Sequence, residues 1–404
     1  MHKQPLEGMT VLEIANWVQG PLAAHLLGNL GATVIKVERP GSGDPARGLQ
    51  SLYGASMMTR DGRAMLWELC NRNKQSVCLD LRRPEGHDAV HRLAARADVF
   101  VTNMQRDTLE NVRCTAEELF GVNEKLVYAL GGGLTVNGPL ANAPAQDTVA
   151  MAQSGFMLTA GTADGEPVYP PGALADVTAA SSIASGVVTA LLARERHGAT
   201  RQLVTTSLVQ AAMWTQMLGV SVPANTGERL KPYERGKAAN PAMAIYEAGD
   251  GRWLALGVVA LTNRFWRDIC EAIGTTHWSE TTDWGESWPN RARAAHQIAA
   301  ALQDHFLSRP AQEWVDRLRA YEVPCSLITH PAELPDDEGV QADRIVVTGA
   351  DGLRFVSNPF HLTGVDPSES APAPALGQDT APVLASAGYS EGEVAELFES
   401  GTAW

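Results

Sequence analysis

Residues 10–39 read TVLEIANWVQGPLAAHLLGNLGATVIKVER, which has the pattern of a strand, a turn, a helix and a second strand. The apolar run of residues 10–15 predicts a buried strand. Pro21 is well placed to open a helix over residues 22–30, because its fixed φ suits the first helical turn. Residues 32–39 form the second predicted strand. The unit is therefore β-α-β, and we expect parallel strands joined by a right-handed crossover.

The same alternation continues along the chain. Further strands and helices are predicted in turn at residues 76–81, 84–96, 98–103, 116–120 and 125–130. Strands that alternate with helices in this way indicate a doubly wound α/β domain through residue 133. Residues 222–241 have the composition of a linker. A second unit is predicted from residue 242, where the turn Gly249-Asp250-Gly251 separates two apolar runs as in a hairpin.

The composition limits the class of protein. The chain has 404 residues, of which 45% are hydrophobic and 19% charged, and this length predicts two or three domains. A net charge of -14 argues against nucleic acid and an anionic membrane surface as main partners. The five cysteines lack the spacing of a metal site or a disulfide framework, so we expect no metal. The N-terminus lacks an apolar leader and no apolar run reaches about 18 residues, which predicts a cytoplasmic protein without a membrane span.

A candidate binding edge follows from the first β-α-β unit. The turn of residues 17–20 comes directly after the first strand, and Arg39 ends the second strand on the same edge. Open α/β sheets bind ligands at the carboxyl ends of their strands. The turn lacks the GxGxxG of dinucleotide-binding proteins, so a nicotinamide enzyme is not favoured. The sequence thus places a backbone turn and a cation at one crevice.

A second candidate segment follows the break Pro170-Pro171-Gly172. Apolar spacing after this break predicts a helix that ends at Gly198, and its first half consists almost entirely of small residues. Asp176 is the only charged residue between residues 166 and 194, and it lies near the first helical turn. Two roles fit this position. Asp176 is either a helix N-cap, worth about 1 kcal/mol, or a carboxylate nucleophile beside helix N–H donors.

Several motifs, in order along the chain, resemble one family. Residues 6–13 read LEGMTVLE, residues 29–40 read NLGATVIKVERP, and residues 43–48 read GDPARG. Further matches cover nearly the whole chain: Asn73-Lys74-Gln75-Ser76-Val77, Leu79-Asp80-Leu81, Gln153-Ser154-Gly155, Ala175-Asp176 and Asp250-Gly251-Arg252-Trp253. This series resembles the class III CoA-transferases, also known as the CaiB/BaiF superfamily.

The resemblance implies a fold and an assembly. In this family a Rossmann-like large domain with a parallel sheet is built from both chain ends, and a smaller α+β domain comes from the middle. Two subunits interlock as a homodimer. We therefore expect the large domain in residues 1–221, the small domain with its linkers in residues 222–330, and residues 331–404 completing the large domain.

The resemblance also implies a reaction. Family members move CoA from an acyl-CoA donor to a small carboxylic acid, and Asp176 corresponds to the aspartate that forms an aspartyl-CoA thioester. Coenzyme A is then part of the substrates, and no cofactor is bound permanently. The residues that correspond to CoA contacts are Val18, Gln19, Arg39, Leu79, Arg82, Asn103 and Met104. Three further residues are candidates for supporting the site or meeting the substrate: Gln146, Asp147 and Lys237.

Two alternative functions stay open at this point. The same superfamily contains α-methylacyl-CoA racemases, which use a His–Asp pair as two bases. The racemase histidine corresponds to Gln146, and glutamine cannot exchange protons, which favours a transferase. The other alternative is a CoA-binding protein without turnover, and the presence of Asp176 weighs against it.

Overall fold

The structure, a computed structural model, describes residues 4–230, 232–234, 236–280, 282–366 and 369–404. Residues 1–3, 231 and 235, which belong to the predicted N-terminus and the predicted linker, lie outside this part. By their contacts the residues group into two compact units. The large unit comprises the described residues within 1–160, 167–230 and 338–404, and the small unit comprises those within 161–166 and 231–337. The division at residues 221 and 330 stays a prediction.

The bounds of the strands and helices are as follows. The strands are β1 (Thr10–Ile14), β2 (Thr33–Glu38), β3 (Ser51–Leu52), β4 (Ala55–Ser56), β5 (Lys74–Cys78), β6 (Val99–Thr102), β7 (Val127–Gly132), β8 (Gln202–Ser207), β9 (Met243–Glu247), β10 (Trp253–Gly257), β11 (Cys325–Leu327), β12 (Val346–Thr348) and β13 (Arg354–Val356). The helices are α1 (Gln19–Asn29), α2 (Met65–Asn71), α3 (Pro84–Ala94), α4 (Arg106–Asn111), α5 (Ala116–Val122), α6 (Asp147–Gln153), α7 (Phe156–Thr159), α8 (Leu174–His197), α9 (Leu208–Thr215), α10 (Met217–Thr226), α11 (Asn263–Ile273), α12 (His277–Glu280), α13 (Asp283–Glu286), α14 (Trp288–Arg293), α15 (Ala295–Phe306), α16 (Ala311–Ala320), α17 (Glu338–Ala342), α18 (Thr380–Ser386) and α19 (Glu391–Glu399).

The large unit is organised around a six-stranded sheet of order β5-β2-β1-β6-β7-β8. Every neighbouring pair in this sheet is parallel. Successive side chains of a strand point to opposite faces of the sheet, and helices cover both faces, so the sheet contributes to two cores. On one face Leu12 and Phe100 pack with α3, α5, α18 and α19, and on the other Val11 and Val101 pack with α1 and α8. The predicted α/β class with a parallel sheet is therefore confirmed.

The C-terminal segment belongs to the same unit and packs beside β5. The Cys78 N–H donates to Oγ1 of Thr380 at 3.0 Å. The Asp80 N–H donates to the carbonyl of Thr402 at 2.8 Å, and the Trp404 N–H donates to the carbonyl of Cys78 at 3.1 Å. These bonds tie the end of the chain to the edge strand of the sheet.

The small unit has its own core. Its sheet has the order β11-β10-β9 and is antiparallel, and its helices include α11, α15 and α16. The predicted hairpin around residues 249–251 joins β9 to β10. Trp266 and Trp314, each only 1% exposed, fill the core beneath this sheet. An interlocked dimer stays a prediction.

Two helices differ from what the sequence suggested. Residues 222–226, taken as linker, complete α10, and Pro223 lies inside that helix. Within the described residues, α8 is the one helix with the length and composition to cross a membrane. The sequence predicted this helix but not its overall apolar character, because its apolar residues, many of them alanines, alternate with serines and threonines and form no long unbroken run. A core helix passes the same test, and α8 packs against α1, α9 and β8.

Candidate active site

The site begins where the order of the sheet reverses. β1 and β6 are parallel neighbours, with Ile14 opposite Thr102, and the strands that follow them in the chain lie on opposite sides. Asn103 ties the two loops together. Its Oδ1 accepts the Asn16 N–H at 2.9 Å, and its Nδ2 donates to the Asn16 carbonyl at 2.8 Å. Such switch points are the usual ligand sites of open α/β sheets, and Asn103 uses its amide to shape this one.

The turn after β1 is strained and is held in place by a neighbouring loop. Trp17 has a φ of 67°, in the left-handed region that is costly for a bulky residue. Its N–H donates to Oδ1 of Asp44 at 3.1 Å. Gly20 is needed in this turn, because a Cβ there would lie 2.6 Å from the Cβ of Ala15. The turn leads directly into α1, which begins at Gln19.

Asp44 belongs to a buried network of charges beside this turn. Nζ of Lys36 lies 2.6 Å from Glu13 and 3.0 Å from Asp44, and Nζ of Lys74 lies 2.7 Å from Glu13. Burial opposes the charge of Lys36, but the carboxylates around it raise its pKa. Burial lowers the pKa of Lys74 to about 8. Breaking such a network leaves an uncompensated buried charge, so it fixes the loop that holds Trp17.

Asp176 lies in the third position of α8, which begins at Leu174. The N-cap residue is Ala173, which has a φ of 53° and makes no side-chain cap. Asp147 caps the helix instead, because its Oδ1 accepts the N–H of Ala175 at 2.8 Å and that of Asp176 at 3.2 Å. The interpretation of Asp176 as an N-cap is therefore wrong. Its carboxylate is available for chemistry.

The carboxylate of Asp176 is half-buried next to a second carboxylate. Burial and then the charge of Asp147 raise the pKa of Asp176 to about 7, while a hydrogen bond from the backbone N–H of Gln19 acts in the opposite direction. The charge of Asp176 also reaches the buried thiol of Cys70 on α2, whose pKa burial raises. A carboxylate with a raised pKa is more basic, and so a stronger nucleophile, than one in water.

Gln19 links the start of α1 to the end of β7. Its buried side chain donates from Nε2 to the carbonyl of Gly132 at 3.2 Å. Gly131 leaves the necessary space, because a Cβ there would lie 2.5 Å from Oε1 of Gln19. Val18, also buried, is the N-cap residue of α1. Gln19 is therefore the predicted CoA contact that the structure places against Asp176.

A cleft of about 450 Å³ lies at the carboxyl edge of the sheet and is lined by four other predicted CoA contacts, Arg39, Leu79, Arg82 and Met104. Arg39 is exposed, and its Nε donates to the carbonyl of Gly43 at 3.2 Å. Arg82 makes two hydrogen bonds of 2.8 Å to Asp80 and has a side chain that is 87% exposed. Leu79 is fully buried in the wall. Arg39 is the freer of the two cations for an anionic ligand.

The other site candidates have different surroundings. Gln146 is the N-cap residue of α6 and makes no side-chain cap. Lys237 belongs to the small unit, where it forms an ion pair with Glu234. Tyr169 is a further residue of the site that the sequence did not reveal, and its hydroxyl donates to Oδ2 of Asp147 at 3.1 Å. No motif marks this contact, because Tyr169 lies 22 positions beyond Asp147, past α6 and α7.

With this geometry in hand, the chain can be compared with known proteins. It matches the model of CoA-transferase family III over residues 6–380. The chain therefore belongs to CoA-transferase family III, and the resemblance in its motifs is confirmed. A CaiB/BaiF family protein from Brucella suis has the same fold, with a TM-score of 0.80 and 23% sequence identity over 96% of this chain and 100% of that one.

Two relatives with named activities match nearly the full length. The chain is 28% identical over 390 residues to the acetyl-CoA:oxalate CoA-transferase of Acetobacter aceti, covering 94% of this chain and 95% of that one. It is 29% identical over 401 residues to the succinate–glutarate CoA-transferase of Agrobacterium fabrum, covering 95% and 96%. The relatives share CoA transfer and differ in the acids they are named for.

Proposed function

We propose that this protein transfers CoA from an acyl-CoA donor to a small carboxylic acid, with Asp176 as the covalent nucleophile. The observation that carries the proposal is the position of the Asp176 carboxylate. It is half-buried at the start of one helix, beside the charge of Asp147, and it accepts a hydrogen bond from Gln19 at the start of another helix. Membership of CoA-transferase family III supports this assignment.

The reaction takes place in two symmetrical halves. An oxygen of Asp176 attacks the acyl carbonyl of the donor, and the C–S bond breaks to give a mixed anhydride and CoA thiolate. The thiolate attacks the Asp176 carbonyl, which releases the donor acid and leaves an aspartyl-CoA thioester. The acceptor acid then attacks this thioester, and the expelled thiolate attacks the new anhydride at the acceptor carbonyl. The products are the acceptor's CoA thioester and the free Asp176 carboxylate.

The backbone at the start of α1 has a role in each attack on the Asp176 carbonyl. The N–H of Gln19 already hydrogen bonds to the carboxylate, so it is in place to stabilise an oxyanion on the same atom. The first N–H groups of a helix also have no partner within the helix, and they lie at its positive end. We assign to Gln19 the role of oxyanion donor as well as CoA contact.

The predicted CoA contacts remain part of the proposal. Arg39 has the freest cation at the cleft and is suited to bind a phosphate group of CoA. Arg82 is paired with Asp80 and serves as a weaker contact. Met104 and the little exposed surface of Val18 contribute apolar contacts, and Leu79 supports the wall of the cleft from within. Asn103 acts mainly by holding the loop after β1.

The alternative functions are less favoured. A racemase would need a group that exchanges protons where Gln146 stands. A binding protein without turnover would have no use for a half-buried carboxylate beside a second carboxylate, an arrangement that raises its pKa and costs stability when it is charged. A racemase would exchange an α-proton of its acyl-CoA with deuterium from the solvent, and neither alternative would move CoA between two acids.

We further propose a homodimer that works in the cytoplasm, without nucleic acid, membrane or bound cofactor. Large apolar side chains on adjacent elements of the large unit support a second copy as partner. They are exposed to 53–70%, namely Leu192, Leu203, Trp214 and Leu218. The net charge of -14 supports the absence of nucleic acid.

CoA exchange between donor thioesters and acceptor acids tests the proposal. Wild type and Asp176→Ala are incubated with acetyl-, formyl-, succinyl- and glutaryl-CoA, each against a panel of mono- and dicarboxylic acids, and new thioesters are measured by mass spectrometry. We expect new acyl-CoA from wild type and none above background from Asp176→Ala. Asp88→Ala, which removes an exposed carboxylate on α3, is the control and should behave as wild type. Full exchange by Asp176→Ala would contradict the proposed nucleophile.

A further inference from the structure

A chain of hydrogen bonds runs from the β3–β4 hairpin to the first turn of α8. The hydroxyls of Tyr53 and Tyr169 are 2.6 Å apart, and the Tyr169 hydroxyl lies 3.1 Å from Oδ2 of Asp147. The other oxygen of Asp147, Oδ1, accepts the N–H groups of Ala175 and Asp176. Two tyrosines with no role in the reaction above therefore end on the carboxylate that caps the nucleophile's helix.

The direction of this chain follows from counting protons. An ionised carboxylate can only accept, and each tyrosine hydroxyl has one proton to donate. If Asp147 is charged, Tyr169 donates to it and Tyr53 must donate to Tyr169. Burial raises the pKa of Tyr169, a hydrogen bond with Thr148 acts in the opposite direction, and the bonds to Tyr53 and Asp147 raise the pKa further, so the Tyr169 proton stays in place. The chain therefore fixes the orientation of the Asp147 carboxylate.

The backbone of the β3–β4 hairpin is strained at Tyr53, the residue that contacts Tyr169. Tyr53 and Gly54 are its two turn residues, with φ values of 51° and 76°. Turns with positive φ at both central residues favour Asn, Asp or Gly at the first one, because a larger side chain is costly there. Tyr53 supplies instead a hydroxyl for Tyr169 and a ring 5.9 Å from the ring of Tyr169.

We propose that Tyr169, held by Tyr53, is a positioning residue that keeps the carboxylate of Asp147 directed at the first turn of α8, and so sets the pH range in which Asp176 attacks. The inference rests on the proposed function of Asp176. The groups that act on Asp176 are Asp147 from α6 and the Gln19 N–H from α1; burial and, in turn, the charge of Asp176 raise the pKa of the Cys70 thiol on α2. Of these, Asp147 is the one that the tyrosines contact.

Loss of the Tyr169 hydroxyl has a predictable direction. Without its donor, the carboxylate of Asp147 is free to turn away from Asp176, which weakens the effect of its charge on Asp176. This change leaves Asp176 ionised at lower pH and makes it less reactive. A general loss of stability would lower the rate as well, but it would not move the pH at which the rate begins to fall.

The test measures the rate of covalent aspartyl-CoA formation against pH in single turnovers, for five variants. Asp147→Asn should move the acid limb of the profile to lower pH by about one unit, since it removes the neighbouring charge. Tyr169→Phe should move it in the same direction by about half as much and lower the plateau several-fold, with the KM for acyl-CoA unchanged. Tyr53→Asn, which suits the strained turn but removes the hydroxyl, should give a smaller shift of the same sign.

The double variant Tyr169→Phe/Asp147→Asn tests whether Tyr169 changes the pH profile through Asp147. It should have the pH profile of Asp147→Asn alone, because the tyrosine acts through that carboxylate. Tyr321→Phe, at an exposed tyrosine of the small unit, is the control and should match wild type. The inference would be overturned if the acid limb of Tyr169→Phe lay at the same pH as that of wild type. It would also be overturned if the double variant showed a larger shift than Asp147→Asn alone.

Melting temperatures keep this inference separate from the proposed function. If wild type forms no adduct with any donor, the proposed function fails, and the difference in melting temperature between pH 5 and pH 8 still tests the tyrosines. Asp176 makes the folded state hold an extra proton between about pH 4 and pH 7, which lowers stability as pH rises through that window. Tyr169→Phe should weaken this dependence and Asp147→Asn should weaken it more. An unchanged dependence in Tyr169→Phe would contradict the inference.

Discussion

At the scale of single residues, Asp176 and Asp147 have carboxylates close together with opposite tasks. The carboxylate of Asp147 accepts hydrogen bonds from three donors, namely two backbone N–H groups and the Tyr169 hydroxyl. Asp176 has one, from Gln19, and has its pKa raised to about 7 by burial and by Asp147. Paired acids whose environments differ in this way divide into a fixed charge and a reactive group. The difference supports Asp176 as the proposed nucleophile.

The charge of Asp176 should therefore cost stability. Its folded-state pKa of about 7 lies above the usual value for aspartate. Above pH 7 the folded protein therefore has to hold Asp176 in its charged form, which lowers the free energy of unfolding. Asp176→Asn should raise the melting temperature at pH 8 by about 2–4 °C, on the order of 1 kcal/mol, and have little effect at pH 5. Differential scanning calorimetry at both pH values measures this. A variant that melts below wild type at pH 8 would contradict the assignment of burial cost to Asp176.

Arg39 should contribute to binding and not to the chemical step. Its guanidinium has one bond, to the Gly43 carbonyl, and lines the cleft at the sheet edge. Arg39→Gln should raise the KM for acyl-CoA about tenfold, the loss of one charged hydrogen bond, with kcat little changed. Arg82→Gln is the matched comparison, and its pairing with Asp80 predicts a smaller effect. Equal KM values for wild type and Arg39→Gln would remove Arg39 from the CoA site.

Residue roles were only partly predictable from the sequence. Asp176 was singled out because it is an isolated charge near a helix start, and the motif resemblance added the nucleophile role. The sequence could not show that Asp147 caps the same helix, because 28 residues of mostly irregular chain separate it from Ala175. Tyr53 and Tyr169 meet only through the tertiary fold, across 116 residues, so no local pattern marks them.

At the scale of elements, the turn between β1 and α1 is the piece on which the site depends. Its backbone is fixed by Asn103 on one side and by Asp44 on the other. The β-α-β pattern predicted this turn correctly, because strand, turn and helix signals are local. The buried charges beside it were not predicted. Glu13 and Lys36 occur in runs that read as apolar strands, and only the sheet brings them together.

Loss of Asp44 should loosen this turn. Asp44→Ala removes the acceptor of the Trp17 N–H and one carboxylate of the buried network, and Glu13 remains paired with Lys36. We expect a loss of about 2–4 kcal/mol in the free energy of unfolding and slower adduct formation. Urea denaturation followed by circular dichroism measures the first, with Asp88→Ala as control. A loss no larger than that of Asp88→Ala would show that the network does not support the turn.

At the scale of the whole molecule, the parallel sheet was predictable because its strands are buried on both faces and alternate with helices. The return of residues 338–404 to the large unit was not readable from periodicity, and it came from the family resemblance. The linker prediction failed over residues 222–226. Local composition, with Pro223, resembles a linker, whereas α10 continues to Thr226 with Pro223 inside it and none of its residues buried.

The proposed homodimer gives a prediction at this scale. Exposed apolar side chains such as Trp214 and Leu218 lie on neighbouring helices α9 and α10. Light scattering after gel filtration should give twice the chain mass of 43.2 kDa. Leu218→Asp should shift the protein toward the monomer, because burying a charge in an interface is costly, while Val259→Asp, on an exposed site of the small unit, should not. A wild-type protein of single-chain mass at micromolar concentration would contradict the dimer.

In the proposed reaction, CoA passes through a covalent bond to Asp176. The most direct test is the intact mass of the protein after rapid mixing with each acyl-CoA, followed by peptide mapping after mild acid quench. We expect an added mass equal to that of CoA less one water on the peptide that contains Asp176, lost on treatment with hydroxylamine and absent in Asp176→Ala. A protein that transfers CoA between acids but never gains this mass, or gains it at another residue, would contradict a covalent role of Asp176.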